Sequence, residues 1–91
     1  MKAYKSLIKY ALANNCVISV FDGEIWEVKK SAKYTEIIEC IESVEEAQLR
    51  IRDENNKVIA WALIIPCLDD DETVADYSDN EFMNTWNVTQ N

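Results

Sequence analysis

The sequence predicts an α+β fold of order α-β-β-α-β-β-α, with helices packed on a mainly antiparallel four-stranded sheet. Three observations carry that expectation. Apolar residues recur at helical spacing over residues 4–12 and again over 34–44. Residues 16–29 and 47–65 are rich in Val, Ile and Trp, and each stretch is interrupted by a turn signal, Asp22-Gly23 in the first and Asp53-Glu54-Asn55-Asn56 in the second. With 48% hydrophobic residues, one Gly and one Pro in 91 residues, the chain reads as one ordered domain spanning 1–91 and not as an acidic disordered tail.

In the first helix Tyr4, Leu7, Ile8, Ala11 and Leu12 form one stripe, and Lys2, Lys5 and Lys9 lie on the other face. It should end near Asn14-Asn15, because Asn tolerates the left-handed conformation that closes a helix. Residues 16–21 form the first strand, Asp22-Gly23 a two-residue hairpin turn, and 24–29 the returning strand. Ser31 is placed to cap a second helix running to about Ser43, with Tyr34, Ile37, Ile38, Ile41 and Val44 on its inner side. From Ala47 to Arg52, Leu49 and Ile51 alternate with Gln48, Arg50 and Arg52, a strand with one wet face. Residues 58–65 are apolar on both faces and belong in the middle of a sheet, stopped by Pro66. Ser78-Asp79-Asn80-Glu81 reads as a capping box opening a last helix, with Phe82, Met83 and Trp86 inward.

Charge is sorted along this framework. Residues 1–33 hold six Lys and three acids, whereas 34–91 hold three bases and fourteen acids, for a total of −8. No base follows Lys57. On the second helix Glu36, Glu39, Glu42 and Glu46, with Glu45 beside them, have no Lys or Arg among them, although like charges at this spacing cost stability. They are expected to form a ridge about 15 Å long with one carboxylate per roughly 4 Å, close to the roughly 3.4 Å axial spacing of phosphates on one DNA strand. Asp69, Asp70, Asp71, Glu72, Asp76 and Asp79 form a second acidic block expected to extend that track.

The same composition argues against catalysis. There is no His and no Gly-rich phosphate loop, a Cys nucleophile lacks an imidazole base, and paired carboxylates need a cleft that a domain of this size rarely encloses. The chain is therefore expected to be no enzyme, with no catalytic residues. The run Asp69 to Glu72 lacks the spacing of a calcium loop, so neither a metal nor a cofactor is expected, and the run reads as solvated. Cys16, Cys40 and Cys67 form no C-x-x-C and are expected to be reduced thiols in apolar surroundings. The aromatics lack a basic groove for stacked bases, so no direct nucleic-acid binding is expected; Trp61 reads as core and Tyr77 as a partner contact. No signal peptide or membrane span is apparent, since the longest apolar run, 58–67, is ten residues. A cytoplasmic place in a bacterial host cell is expected, with no membrane partner.

The chain resembles the small acidic inhibitors that bacteriophages make against host DNA enzymes, in length, acidity, lack of catalytic residues and α+β layout. It is nearest in these respects to the Arn anti-restriction inhibitors of T-even phages, which are DNA-mimic dimers. The resemblance implies a non-catalytic inhibitor whose partner is a host restriction nuclease or other DNA-binding protein, and a homodimer, because one domain is expected to cover only about a turn and a half of duplex. Trp61-Ala62-Leu63-Ile64-Ile65 is similar to a strand of the uracil-DNA glycosylase inhibitors, while their Glu-Ser-Ile strand is matched only by Glu42-Ser43-Val44 at a predicted helix end. The competing class is an acidic protein-interaction adaptor or antitoxin-like module that binds through an apolar patch.

Overall fold

The structure, a computed structural model, describes residues 2–70 and 72–90, and of residues 27–29, 89 and 90 it describes the backbone alone. Asp71 lies outside the described residues. The fold is α+β, but its sheet has five strands: α1 (Ala3–Ala13), β1 (Val17–Phe21), β2 (Trp26–Ser31), α2 (Tyr34–Glu42), β3 (Ala47–Arg52), β4 (Val58–Ile64), β5 (Val74–Tyr77) and α3 (Glu81–Gln90). The strands lie in the order β2-β1-β3-β4-β5, and every neighbouring pair is antiparallel. The extra strand, β5, falls between the acidic run ending at Glu72 and Ser78, where the sequence reading places no element. It is only four residues long, carries Asp76 and sits at the sheet edge, where a charged residue discourages further pairing.

Alternation along β1, β3 and β4 sends Ile18, Val20, Leu49, Ile51, Ala60, Ala62 and Ile64 to one face. Against that face pack Tyr4, Leu7, Ile8 and Ala11 of α1, Ile37, Ile38 and Ile41 of α2, and Met83 and Trp86 of α3, in one continuous core. Each fully buried Leu or Ile contributes about 1.5–3 kcal/mol over its exposed state. Among the described residues no helix covers the opposite face. Trp61, read as core, is 43% exposed there, because its strand is central in the sheet but helices cover only one side. Tyr77, read as a partner contact, is half-buried with its ring edge-on to Trp86 at 6.2 Å.

Several connections depart from the expected pattern for identifiable reasons. The first turn is wider than two residues: Asp22 Oδ1 accepts the N–H groups of Glu24 and Ile25, both at 2.9 Å, so the returning strand begins at Trp26. Gly23 supplies a φ of +107° in that turn. Ser31 does not cap α2. It ends β2, where its Oγ accepts the Lys33 N–H and donates to Glu36 Oε2. α3 is capped by Asn80, whose Oδ1 accepts the Met83 N–H at 3.0 Å, while Ser78 Oγ accepts the Trp61 N–H instead. Asn15, with φ 62°, closes α1 in the left-handed region as expected.

The start of α1 has no side-chain cap of its own. Its first amides are taken up from the far end of the chain: Ala3 N–H donates to the Asp70 carbonyl at 2.8 Å, and Tyr4 N–H to Thr73 Oγ1 at 3.2 Å. Thr73 Oγ1 in turn donates to the Asp70 carbonyl at 3.1 Å. The loop between β4 and β5 is thereby fastened to the helix N-terminus.

Candidate functional site

The register decides where the acidic segments meet. Ala47 pairs with Ile64, Phe21 with both Gln48 and Trp26, and Ile64 with Val74. The 22–25 turn, the 43–46 connection and the 65–73 loop therefore emerge at the same end of the sheet. That end carries Asp22 and Glu24 from the first, Glu45 and Glu46 from the second, and Asp69, Asp70 and Glu72 from the third. Glu42, the last residue of α2, reaches it too.

A groove of about 620 Å³ opens at this end, lined by Glu42, Val44, Glu45 and Glu46 of the first acidic block and by Ile65, Pro66 and Cys67, which precede the second. Lys2 and Tyr4 of the α1 end complete it. Lys2 is a base at this end, and its Nζ donates to the Pro66 carbonyl. The α1 N-terminus is closed by Asp70 and Thr73, so its amides are not available to an external anion. Tyr4 donates from its hydroxyl to Glu42 Oε2 at 3.4 Å. Burial, reinforced by the Glu42 charge, pushes the Tyr4 hydroxyl up to about 12.

The helical ridge is shorter and less straight than expected. α2 stops at Glu42, so Glu46 does not lie on it, and the run from Glu36 to Glu42 rises about 9 Å. Each three-residue step also turns the side chain about 60° backward around the axis. Glu36 consequently leans to one flank, on Ser31 at the end of β2, and Glu42 to the other, on Tyr4 of α1. Glu39, exposed, lies between them. Asp76 of β5 pairs with Leu63 of β4, in the row that borders this end but on the outer face of the sheet. Asp79 leaves the acidic end: it precedes α3 at the opposite end and accepts from Asn84 Nδ2 at 3.0 Å.

Of the predicted site residues, Glu42, Glu46, Asp69, Asp70 and Glu72 thus share one end of the sheet, Glu39 leads up to them, Asp76 stands one residue in from that end on the outer face, and Glu36 and Asp79 are set apart. Sequence reasoning missed Asp22 and Glu24 as members of the group. The signal was available: in a β-hairpin next to β3, the 22–25 turn has to share an end with the start of that strand.

Among the described residues no three His, Cys, Asp or Glu side chains are grouped closely enough to hold a metal ion. The carboxylates form a spread surface and not a chelate, suited to meeting a field of positive charge. Cys67, in the groove, is exposed, Cys40 is half-buried, and only Cys16 is fully enclosed, so the thiols do not share the apolar setting expected of them. Burial, and then the charges of Asp53 and Glu54, push the Cys16 thiol up.

Among the described residues no helix is long and apolar enough to cross a membrane. Comparison with protein-family models, with curated proteins and with solved structures finds no match to this chain.

Proposed function

We propose that this chain is a non-catalytic DNA mimic that inhibits a host restriction nuclease or other DNA-binding protein by occupying its basic groove, acting in the cytoplasm of a bacterial host. The observation that carries the reading is the strand register, which brings the segment with Glu42, Glu45 and Glu46 and the loop with Asp69, Asp70 and Glu72 to one end of the sheet. Carboxylates so gathered in a chain of net charge −8 produce a directional negative field that would steer a basic groove onto this end. The longest dimension is 28 Å, less than one turn of duplex at about 34–36 Å, so one copy stands in for a shorter track than the turn and a half anticipated from sequence. A homodimer would lengthen it.

The test is competition. A target captured on the immobilised chain from a bacterial lysate should be released along a salt gradient and by duplex DNA, since both would depend on the same groove. Substituting Glu42, Glu45 and Glu46 by Gln should weaken capture and flatten its salt dependence. Capture that is indifferent to duplex DNA and to these substitutions would sink the proposal.

A second reading has its own support. The uncovered sheet face, with Trp61 43% exposed and Val58 39% exposed, suits an interaction module that binds through an apolar patch, with acidity serving solubility. The glycosylase-inhibitor alternative has less behind it: Trp61 to Ile64 do lie on a strand, but Glu42-Ser43-Val44 belongs to the end of α2 and the turn after it.

A further inference from the structure

We infer that the uncovered face of the sheet is the contact between two copies of this chain, related by a two-fold axis passing over Trp61. The face is a grid set by the strand register. Its upper row runs Trp26, Phe21, Gln48, Leu63, Asp76, and the row below holds Ser19, Arg50 and Trp61. Arg52 stands one step further down β3, opposite Val58.

Two features make this surface fit itself. The first is apolar: Trp61 and Val58 are exposed, Phe21 and Trp26 are half-buried with rings 5.0 Å apart, and Arg50 lies over the Trp26 ring at 5.4 Å. Trp and Arg are the residues on which binding energy concentrates at interfaces. The second is charge. The only two Arg of the chain are both on this face, and so is Asp76. Arg52 lies one strand over and two residues below Trp61, and Asp76 one strand over on the other side and two residues above it. Trp61 is therefore the midpoint between them. A two-fold axis lying in the interface over Trp61 and perpendicular to the Arg52–Asp76 line exchanges the two positions, setting each Asp76 against the partner's Arg52 and the two Trp61 rings against each other. Such an acceptor would meet the Nη side of the Arg52 guanidinium, where Nη1 is held on the Asn56 carbonyl at 3.5 Å, because its Nε is enclosed within the molecule.

Size agrees with this. Five strands at about 4.8 Å spacing and five residues at about 3.3 Å rise give a flat footprint of roughly 400 Å² per copy. Protruding Trp, Phe and Arg side chains enlarge it, so that two copies reach the roughly 1,000 Å² in total expected of a specific interface. A second copy suits the face better than single-stranded nucleic acid, which needs a continuous basic groove around its stacking aromatics.

The test is the oligomeric state of the full chain by sedimentation equilibrium, read together with tryptophan emission on dilution. The wild type should be a dimer in the micromolar range, with emission shifting to the red as it dissociates. Trp61→Ser should weaken the dimer about thirtyfold or more while leaving the monomer's circular dichroism unchanged. Arg52→Asp and Asp76→Arg should each dissociate it, and the two together should restore it. A monomeric wild type at hundreds of micromolar would overturn the inference, and so would a dimer indifferent to Trp61→Ser or a double exchange as monomeric as its parents. A monomer whose tryptophan emission is quenched by oligo(dT) would overturn it in favour of nucleic acid. No inhibitory target enters this experiment, so the dimer stands or falls separately from DNA mimicry.

Discussion

Replacing Thr73 by Val removes a single oxygen from a fully enclosed position and keeps the side-chain shape, so it isolates the fastening between α1 and the acidic loop. Thr73 is 0% exposed, and its Oγ1 both accepts the Tyr4 N–H and donates to the Asp70 carbonyl. After the change the Tyr4 amide, in a residue 1% exposed, has no water to turn to. An unsatisfied buried donor costs about 1–3 kcal/mol, and loss of a helix cap alone costs about 1 kcal/mol. These describe the same bond and do not add. The expected destabilisation is therefore about 2 kcal/mol, or roughly 10 °C in Tm for a domain of this size. Urea unfolding followed by tryptophan fluorescence reads the first number, and amide hydrogen exchange at Tyr4 and Ala3 locates it. Should Thr73→Val unfold within about 0.5 kcal/mol of the wild type while the Tyr4 amide keeps its protection, the cross-chain cap is not what holds this end together.

Two further outcomes follow from the same geometry. The Tyr4 hydroxyl is raised to about 12 from 10.0, so the unfolded chain loses this proton first and stability should fall as pH rises from 10 towards 12; Tyr4→Phe should flatten that slope in thermal melts taken across the window. Asn80→Ala should cost about 1 kcal/mol by removing the α3 cap, with the largest loss of amide protection at Met83.

Much of the fold was legible because the apolar period is strong where the core is made. α1, β3 and β4 fall within a residue or so of their expected bounds, since a misplaced register would turn Leu49 and Ile51 outward. The errors lie where a short polar side chain chose a partner that sequence spacing does not name. Asp22 widened its turn by binding two amides, Ser78 went to β4 and not to α3, and Ser31 went to Glu36. β5 was too short and too polar to show a pattern of its own. Trp61 was misplaced because periodicity reports a strand's position within a sheet, and not whether a second layer covers it. At the candidate site the acidic residues themselves were plain in the sequence, whereas their grouping was not, since it depends on which turns share an end of the sheet.

The far-end cap of α1 also bears on the order of folding. Thr73 is 69 residues from Tyr4, so the helix made first during synthesis cannot complete its first turn until nearly the whole chain is available. Closing so long a loop has to wait for the β4–β5 pairing that carries residues 70–73 into place. We expect α1 to be frayed at its start in the folding transition state, with Thr73 contributing to the unfolding rate far more than to the folding rate. The acidic loop, held by the same bonds, would then take its final form in the last step of folding.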